Sequence, residues 1–254
     1  MKRMAKRIRG RLVRRLRSFL QIPPNYIGDN GCIRAAASFV AWNQVPGDYL
    51  EFGVWKGYSF ATAYHEIHGA RRNHMSFGYD SPSYNTWQEA TPRFFAFDSF
   101  EGLPAVEGAE RMVDYDPGSY SFARKEFQAS LRARQVGLED VVIVEGWYEK
   151  TCTPETKKRH QLSQAAVVMI DCDLYESTVP VLDFLTDIVQ QGTILIFDDW
   201  FRFRGSPDSG EQRACREWLE RNPHIELIEF WRQAPQAVSF LVNLREPSGP
   251  SEVD

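Results

Sequence analysis

Asp48-Tyr49-Leu50-Glu51-Phe52-Gly53-Val54-Trp55-Lys56-Gly57 is the stretch that decides the fold: a short run with an apolar centre, announced by the breaker pair Pro46-Gly47 and closed by glycine. It reads as a strand over 48–52 that turns into a helix over Tyr58–Ile67. The same alternation continues along the chain. Further strands are expected at Phe94–Phe97, Val141–Val144, Ala166–Ile170, Thr193–Phe197, Ile225–Phe230 and Val238–Leu244, and helices at 31–44, Ser121–Gln135, Val179–Val189 and Glu211–Glu220. Strands that are almost wholly apolar need cover on both faces, and helical crossovers between parallel strands supply it. The expectation is therefore an α/β fold: a Rossmann-like, mostly parallel, seven-stranded sheet with helices on both faces. Between the last two strands, Trp231–Gln236 leaves no room for a crossover helix, so the final strand should return antiparallel as a hairpin.

The 254 residues, 43% hydrophobic and 25% charged, suit one globular domain with one substantial core. No apolar run approaches the roughly 20 residues needed to cross a bilayer, and the N-terminus lacks the apolar centre of a secretory signal. A cytoplasmic location is the expectation. Cys32, Cys152, Cys172 and Cys215 form no Cys-x-x-Cys pair, so neither a zinc cluster nor a redox pair is indicated. Residues 1–17 carry nine Lys or Arg and no acid, leaving 21 basic against 34 acidic residues elsewhere, a net −13 that disfavours nucleic acid as a partner.

Three parts follow: an N-terminal arm over 1–30, a folded domain over 31–245 and a flexible tail over 246–254. In the arm, Met4, Ile8, Leu12, Leu16 and Leu20 recur every fourth residue among basic ones. Residues 1–20 read as an amphipathic basic helix that packs on its own domain or on a second copy in a homo-oligomer, as a peripheral anchor on acidic lipid, or as a disordered tail. Residues 68–92, rich in Arg, Asn, Ser, Tyr and Pro, look too polar for core and are expected to form a loop or lid. Residues 105–120, with Asp114, Asp116 and Gly118 among turn formers, are read the same way.

Four segments could carry chemistry, each at a strand end. Glu51, Gly53 and Gly57 lie where the first strand meets its helix. Because Glu51 stands where a dinucleotide binder has its first glycine, the site would repel a pyrophosphate and attract an ammonium group, such as the amino acid end of S-adenosylmethionine; the bland alternative is a capping acid in a glycine turn. Asp98-Ser99 ends the second strand, where an acid either accepts from both hydroxyls of a ribose or merely shapes a turn. Gly146-Trp147 follows the third strand, beside the place of an adenine ring. The strongest signal is Asp171-Cys172-Asp173 with Asp198-Asp199, four carboxylates at the ends of two strands. Unless this is a solvated acidic rim, their repulsion calls for a hard divalent cation, magnesium first and manganese second, with Asp173 leading away into the loop. The histidines say less: His65 and His68 share a helix face without a third ligand, and His74, His160 and His224 sit in polar surroundings.

Taken in order, Tyr49–Val54, Asp98-Ser99-Phe100-Glu101-Gly102-Leu103-Pro104, Asp171-Cys172-Asp173-Leu174-Tyr175-Glu176-Ser177-Thr178 and Asp198-Asp199 resemble the macrocin O-methyltransferase family over about residues 30–244. The resemblance implies a class I methyltransferase fold and an S-adenosylmethionine-dependent, Mg²⁺-dependent O-methyltransferase. Its acceptor would be a hydroxyl of a sugar or glycosylated natural product, a vicinal diol by expectation. It implies Asp171, Asp198 and Asp199 as metal ligands, Asp171 as the acceptor of the substrate proton, and cofactor contacts from Glu51, Gly53 and Asp98. The segment 68–92 and the basic arm depart from the family pattern. Two other readings compete. One is metal-dependent phosphoester hydrolysis, for which Arg202 and Arg204 are the candidate phosphate clamp; the other is a non-catalytic nucleoside-binding partner protein.

Overall fold

The computed structural model describes residues 31–106, 110, 112, 114–233 and 235–245; the expected basic arm and C-terminal tail lie outside them. Helix α1 (Gly31–Trp42) leads into β1 (Asp48–Phe52), then α2 (Tyr58–Met75), α3 (Pro82–Glu89) and β2 (Phe94–Asp98). A long loop reaches α4 (Arg124–Ala133), followed by β3 (Val141–Glu145), the short α5 (Tyr148–Thr151) and α6 (Pro154–His160), and β4 (Ala165–Ile170). The chain ends α7 (Tyr175–Leu185), β5 (Ile194–Phe197), a single irregular turn at Arg202–Gly205, α8 (Gly210–Arg221), β6 (Ile225–Gln233) and β7 (Ala237–Leu244). All seven expected strands are present. They form one sheet in the order β3-β2-β1-β4-β5-β7-β6. β1 to β5 pair parallel, and β7 inserts antiparallel between β5 and β6.

Because side chains alternate between two covered faces, the central strands are almost wholly apolar, with Asp48 and Glu51 of β1 and Asp98 of β2 as exceptions. Leu50, Phe52, Phe95, Phe97, Val168 and Ile170 face one side, under Val181, Leu182 and Leu185 of α7 and Trp218 of α8. Tyr49, Phe94, Ala96, Val167 and Met169 face the other, under Ile33 and Val40 of α1, Phe60 and Ile67 of α2, and Phe127 and Leu131 of α4. Each large apolar side chain buried in this way stabilises by roughly 1.5–3 kcal/mol before chain entropy is set against it. Among the described residues, no helix is long and apolar enough to cross a membrane.

The segment 68–92 corrects the expectation of a loop or lid. α2 runs on to Met75, and Ser81 caps α3 by accepting from the Tyr84 N–H, with Pro82 in the first turn. Tyr84 and Trp87 are buried against Ala41. Most polar residues of the segment face solvent, while Arg71 turns inward, stacks on Trp87 at 4.1 Å and donates to the Trp87 and Ala90 carbonyls. His74, read above as sitting in polar surroundings, is 3% exposed and ringed by Trp42, Tyr84 and Trp87. By contrast, residues 103–106 and 114–120 do form a loop.

Candidate active site

The parallel strands all end on one edge, and their ladder continues one residue further. The Gly53 N–H donates to Phe97 O and the Asp171 N–H to Phe52 O, both at 2.9 Å; Gly146 donates to Asp98 O at 2.9 Å and Asp198 to Ile170 O at 3.0 Å. The residues that follow each strand are thereby fixed against their neighbours. A cavity of about 280 Å³ opens above them. It spans the point where the sheet order reverses, between β1 and β4, which is where open α/β sheets place their ligands.

Over β1 to β3 the wall carries Gly53, Asp98, Ser99, Gly146 and Trp147. Gly53 has φ +88°, and a Cβ there would lie 2.0 Å from the Asp171 carbonyl oxygen, so glycine lets the ends of β1 and β4 close up. Asp98 Oδ2 accepts from the Val54 and Trp55 N–H groups at 2.8 and 3.2 Å, and Oδ1 from the Phe100 N–H at 2.6 Å. Burial raises the Asp98 carboxyl, and these three amides pull it back. These amides fill both acceptor sites of Oδ2 and one of Oδ1, so Oδ1 keeps one site for a ribose hydroxyl. Ser99 Oγ donates to Gly102 O, shaping the turn that carries the wall onward.

Two expected cofactor residues stand elsewhere. Glu51 is 0% exposed and lies beneath the cavity, its carboxyl accepting from the Tyr49 hydroxyl and, at 2.6 Å, from Ser59 Oγ. Burial pushes it up to about 8, with the two hydroxyls only partly offsetting that. In this structure it is an internal carboxyl held by two hydroxyls, outside the lining of the cavity. Gly57 packs instead of lining: at φ +73° it opens α2, and a Cβ would meet the Phe127 ring at 2.8 Å.

Over β4 and β5 the wall is acidic. One oxygen each of Asp171, Asp173 and Asp199 lies within 4.8 Å of the others. This trio shares Asp171 and Asp199 with the expected set and has Asp173 in place of Asp198. Asp173, at φ +60°, keeps its carboxylate beside those of Asp171 and Asp199 instead of leading away. Asp198 lines the same cavity outside the trio, and its carboxyl is pushed up to about 6 by burial, with Asp173 adding to it. Burial first and then the neighbouring carboxylates raise Asp171 well above the usual range; Asp173 follows the same pattern. Beneath them Glu211, fully buried at the start of α8, accepts from the Asp199 N–H at 3.1 Å while its Oε1 has no partner. Gln236, from the β6–β7 hairpin, donates to Asp199 Oδ1 at 2.9 Å.

The sequence did not single out Tyr115, Tyr120, Ser177 or Gln236, although all but Tyr115 line the cavity and Tyr115 touches Asp173. Tyr115 and Tyr120 come from a loop and Gln236 from a hairpin, where no periodicity marks an inward side, and Ser177 stands in the first turn of α7. Arg202 was noted as a phosphate clamp; it is the cation of the cavity wall among the described residues, and it is paired with Asp114 at 2.5 Å. Arg204 is not in that wall, and His65 and His68 lie away from it.

A sheet of this order with one reversed strand is the architecture of class I methyltransferases. Solved structures that share it include the O-methyltransferase NovP (TM-score 0.64, 23% identity, covering 85% of this chain and 79% of that one) and the calicheamicin methyltransferase CalS11 (TM-score 0.60, 22% identity, 90% of each chain). Within that class the chain belongs to the macrocin O-methyltransferase (TylF) family, whose model matches residues 84–218. Two characterised relatives are similar. The 8-demethyl-8-(2,3-dimethoxy-alpha-L-rhamnosyl)-tetracenomycin-C 4'-O-methyltransferase of Streptomyces olivaceus is 28% identical over 61% of this chain and 54% of its own length. The demethyldecarbamoylnovobiocin O-methyltransferase of Streptomyces niveus is 29% identical over 66% and 58%. The chain thus spans somewhat more than half the length of the relatives it matches.

Proposed function

We propose that this protein transfers the methyl group of S-adenosylmethionine to a hydroxyl of a sugar on a natural product, with a divalent cation, magnesium first, at the acidic end of the cavity. The observation that carries this reading is the joining of two unlike halves in one cavity: a ribose-type acid with an aromatic beside it over β1 to β3, and converging carboxylates over β4 and β5. The names of the two Streptomyces relatives, one of which methylates a rhamnosyl group, support the acceptor class.

The charge of the wall agrees with it. Asp98, Asp114, Asp171, Asp173, Asp198 and Asp199 face Arg202, a balance that attracts a sulfonium and a hard cation and repels a phosphate ester. Carboxylate oxygens are the donors magnesium takes, and the mutual repulsion of Asp171, Asp173 and Asp199 is what such an ion relieves.

In this mechanism Asp98 accepts from a ribose hydroxyl of the donor through Oδ1, and Trp147 flanks its adenine. Asp171, Asp173 and Asp199 hold the cation, with Asp198 facing the same space. A bound cation would lower the pKa of an acceptor hydroxyl, one of a vicinal diol in this reading, and the sulfonium would supply an electrophilic methyl. Asp171, between the two halves, accepts the hydroxyl proton as the oxygen takes the methyl and the S–C bond breaks.

Labelled donor offered with a panel of glycosides tests this. Expected is a methylated glycoside that disappears in excess chelator and returns with Mg²⁺. Full turnover in chelator would remove the cation, and a calorimetric titration without donor binding would remove the whole reading.

A further inference from the structure

The loop after β2 sends one side chain against Asp173 from outside the cavity. Tyr115 is 2% exposed, packed with Leu174 and Phe203, and its ring meets Phe203 edge-on at 6.1 Å between centroids. Its hydroxyl donates to Asp173 Oδ1 at 2.5 Å and accepts from Arg202 Nε at 3.1 Å. The same Arg202 Nε lies 3.9 Å from Asp199 Oδ1, and its Nη2 is held by Asp114 Oδ2 at 2.5 Å. One phenol and one guanidinium therefore reach both Asp173 and Asp199 from behind.

We propose that Tyr115 is a positioning residue: through its hydroxyl and Arg202 it aims Asp173 and Asp199 at a shared divalent cation. This rests on the reading above that those carboxylates hold one. Asp173 sits at φ +60°, a left-handed state that Asp enters more readily than most residues, and the Tyr115 hydroxyl holds its carboxylate there. Asp199 has a partner of its own in Gln236; Asp173 has the Tyr115 hydroxyl. A neutral donor suits this place, because it orients one oxygen of Asp173 while leaving the full anionic charge of the group available to the ion. Tyr115 and Asp114 belong to the segment that also gives Leu103, Pro104 and Tyr120 to the cavity wall, so the wall on this side and the cation seat share an anchor.

Tyr115→Phe removes one oxygen atom and keeps the ring that packs on Phe203. Partners that orient metal ligands are typically worth about 10–100-fold in metal affinity. For the full chain, Mn²⁺ binding read from the electron paramagnetic resonance of the free ion, with Mg²⁺ as competitor, is expected to weaken by about that factor in Tyr115→Phe. S-adenosylhomocysteine affinity by calorimetry should stay unchanged. A cycle with Asp173→Asn separates aiming from general packing: if Tyr115 acts through Asp173, adding Tyr115→Phe to Asp173→Asn changes Mn²⁺ affinity little, whereas effects that multiply overturn the inference. Equal Mn²⁺ affinity in wild type and Tyr115→Phe also overturns it while leaving the cation reading intact. A wild-type chain that takes up no Mn²⁺ defeats the cation reading and this inference together.

Discussion

Gly53 shows how much a single missing methyl group decides at the residue scale. Its conformation and the 2.0 Å approach of the Asp171 carbonyl leave no place for a side chain, so Gly53→Ala should destabilise by more than about 4 kcal/mol, the range reserved for substitutions that break backbone packing. A chemical denaturation midpoint close to wild type would contradict this. Glu51 makes a prediction of opposite character. Its carboxyl is raised from 4.5 to about 8 in the folded protein, so between those values the native state holds a proton that the unfolded chain has lost. Its contribution to stability is full below the lower value and is lost as pH rises through the upper one. Glu51→Gln, neutral throughout, is expected to flatten that decline in urea midpoints measured from about pH 5 to pH 9; parallel profiles would show that Glu51 does not titrate there. Asp98, Asp171 and Asp199 were legible in the sequence because a strand end fixes where the next residue goes. Asp173 and Tyr115 were not: the first departs from its expected path at a left-handed position, and the path of a loop decides the second.

Among the elements, α3 separates polarity from exposure. Pro82–Glu89 contains few apolar residues, yet Tyr84 and Trp87 are buried and Arg71 and His74 fill the space around them. Trp87→Ala should cost about 3–5 kcal/mol, as for other buried aromatics cut to alanine, and should also strip Arg71 of its stacking partner. Calorimetric affinity for S-adenosylhomocysteine should survive, because no residue of 68–92 lines the cavity. A lid would behave in the reverse way, with melting temperature kept and ligand affinity changed. The seven strands needed no such correction. The apolar runs of β4 and β5 signal burial on both faces, and the short link before β7 forces a hairpin whatever the rest of the chain does.

The molecule as a whole sets two unlike half-sites on one sheet edge, and its predictions are a division of labour. Asp98→Asn should weaken S-adenosylhomocysteine binding by at least about 10-fold, since one hydrogen bond from a ribose hydroxyl to a charged carboxylate contributes about 1.5–3 kcal/mol, while Mn²⁺ binding stays. Asp199→Ala should abolish Mn²⁺ binding with donor affinity nearly intact, and loss of both ligands in either variant would contradict two separable halves. The sequence by itself determined the alternation of strands and helices, the reversed last strand and the acids at strand ends, because these follow from local periodicity and from the reach of short connections. Only the tertiary structure decided which acids meet, that Glu51 faces inward under the sheet edge, and that a tyrosine from a distant loop stands behind Asp173. Those facts depend on strand order and on where loops land, and neither is encoded within the span of a single element.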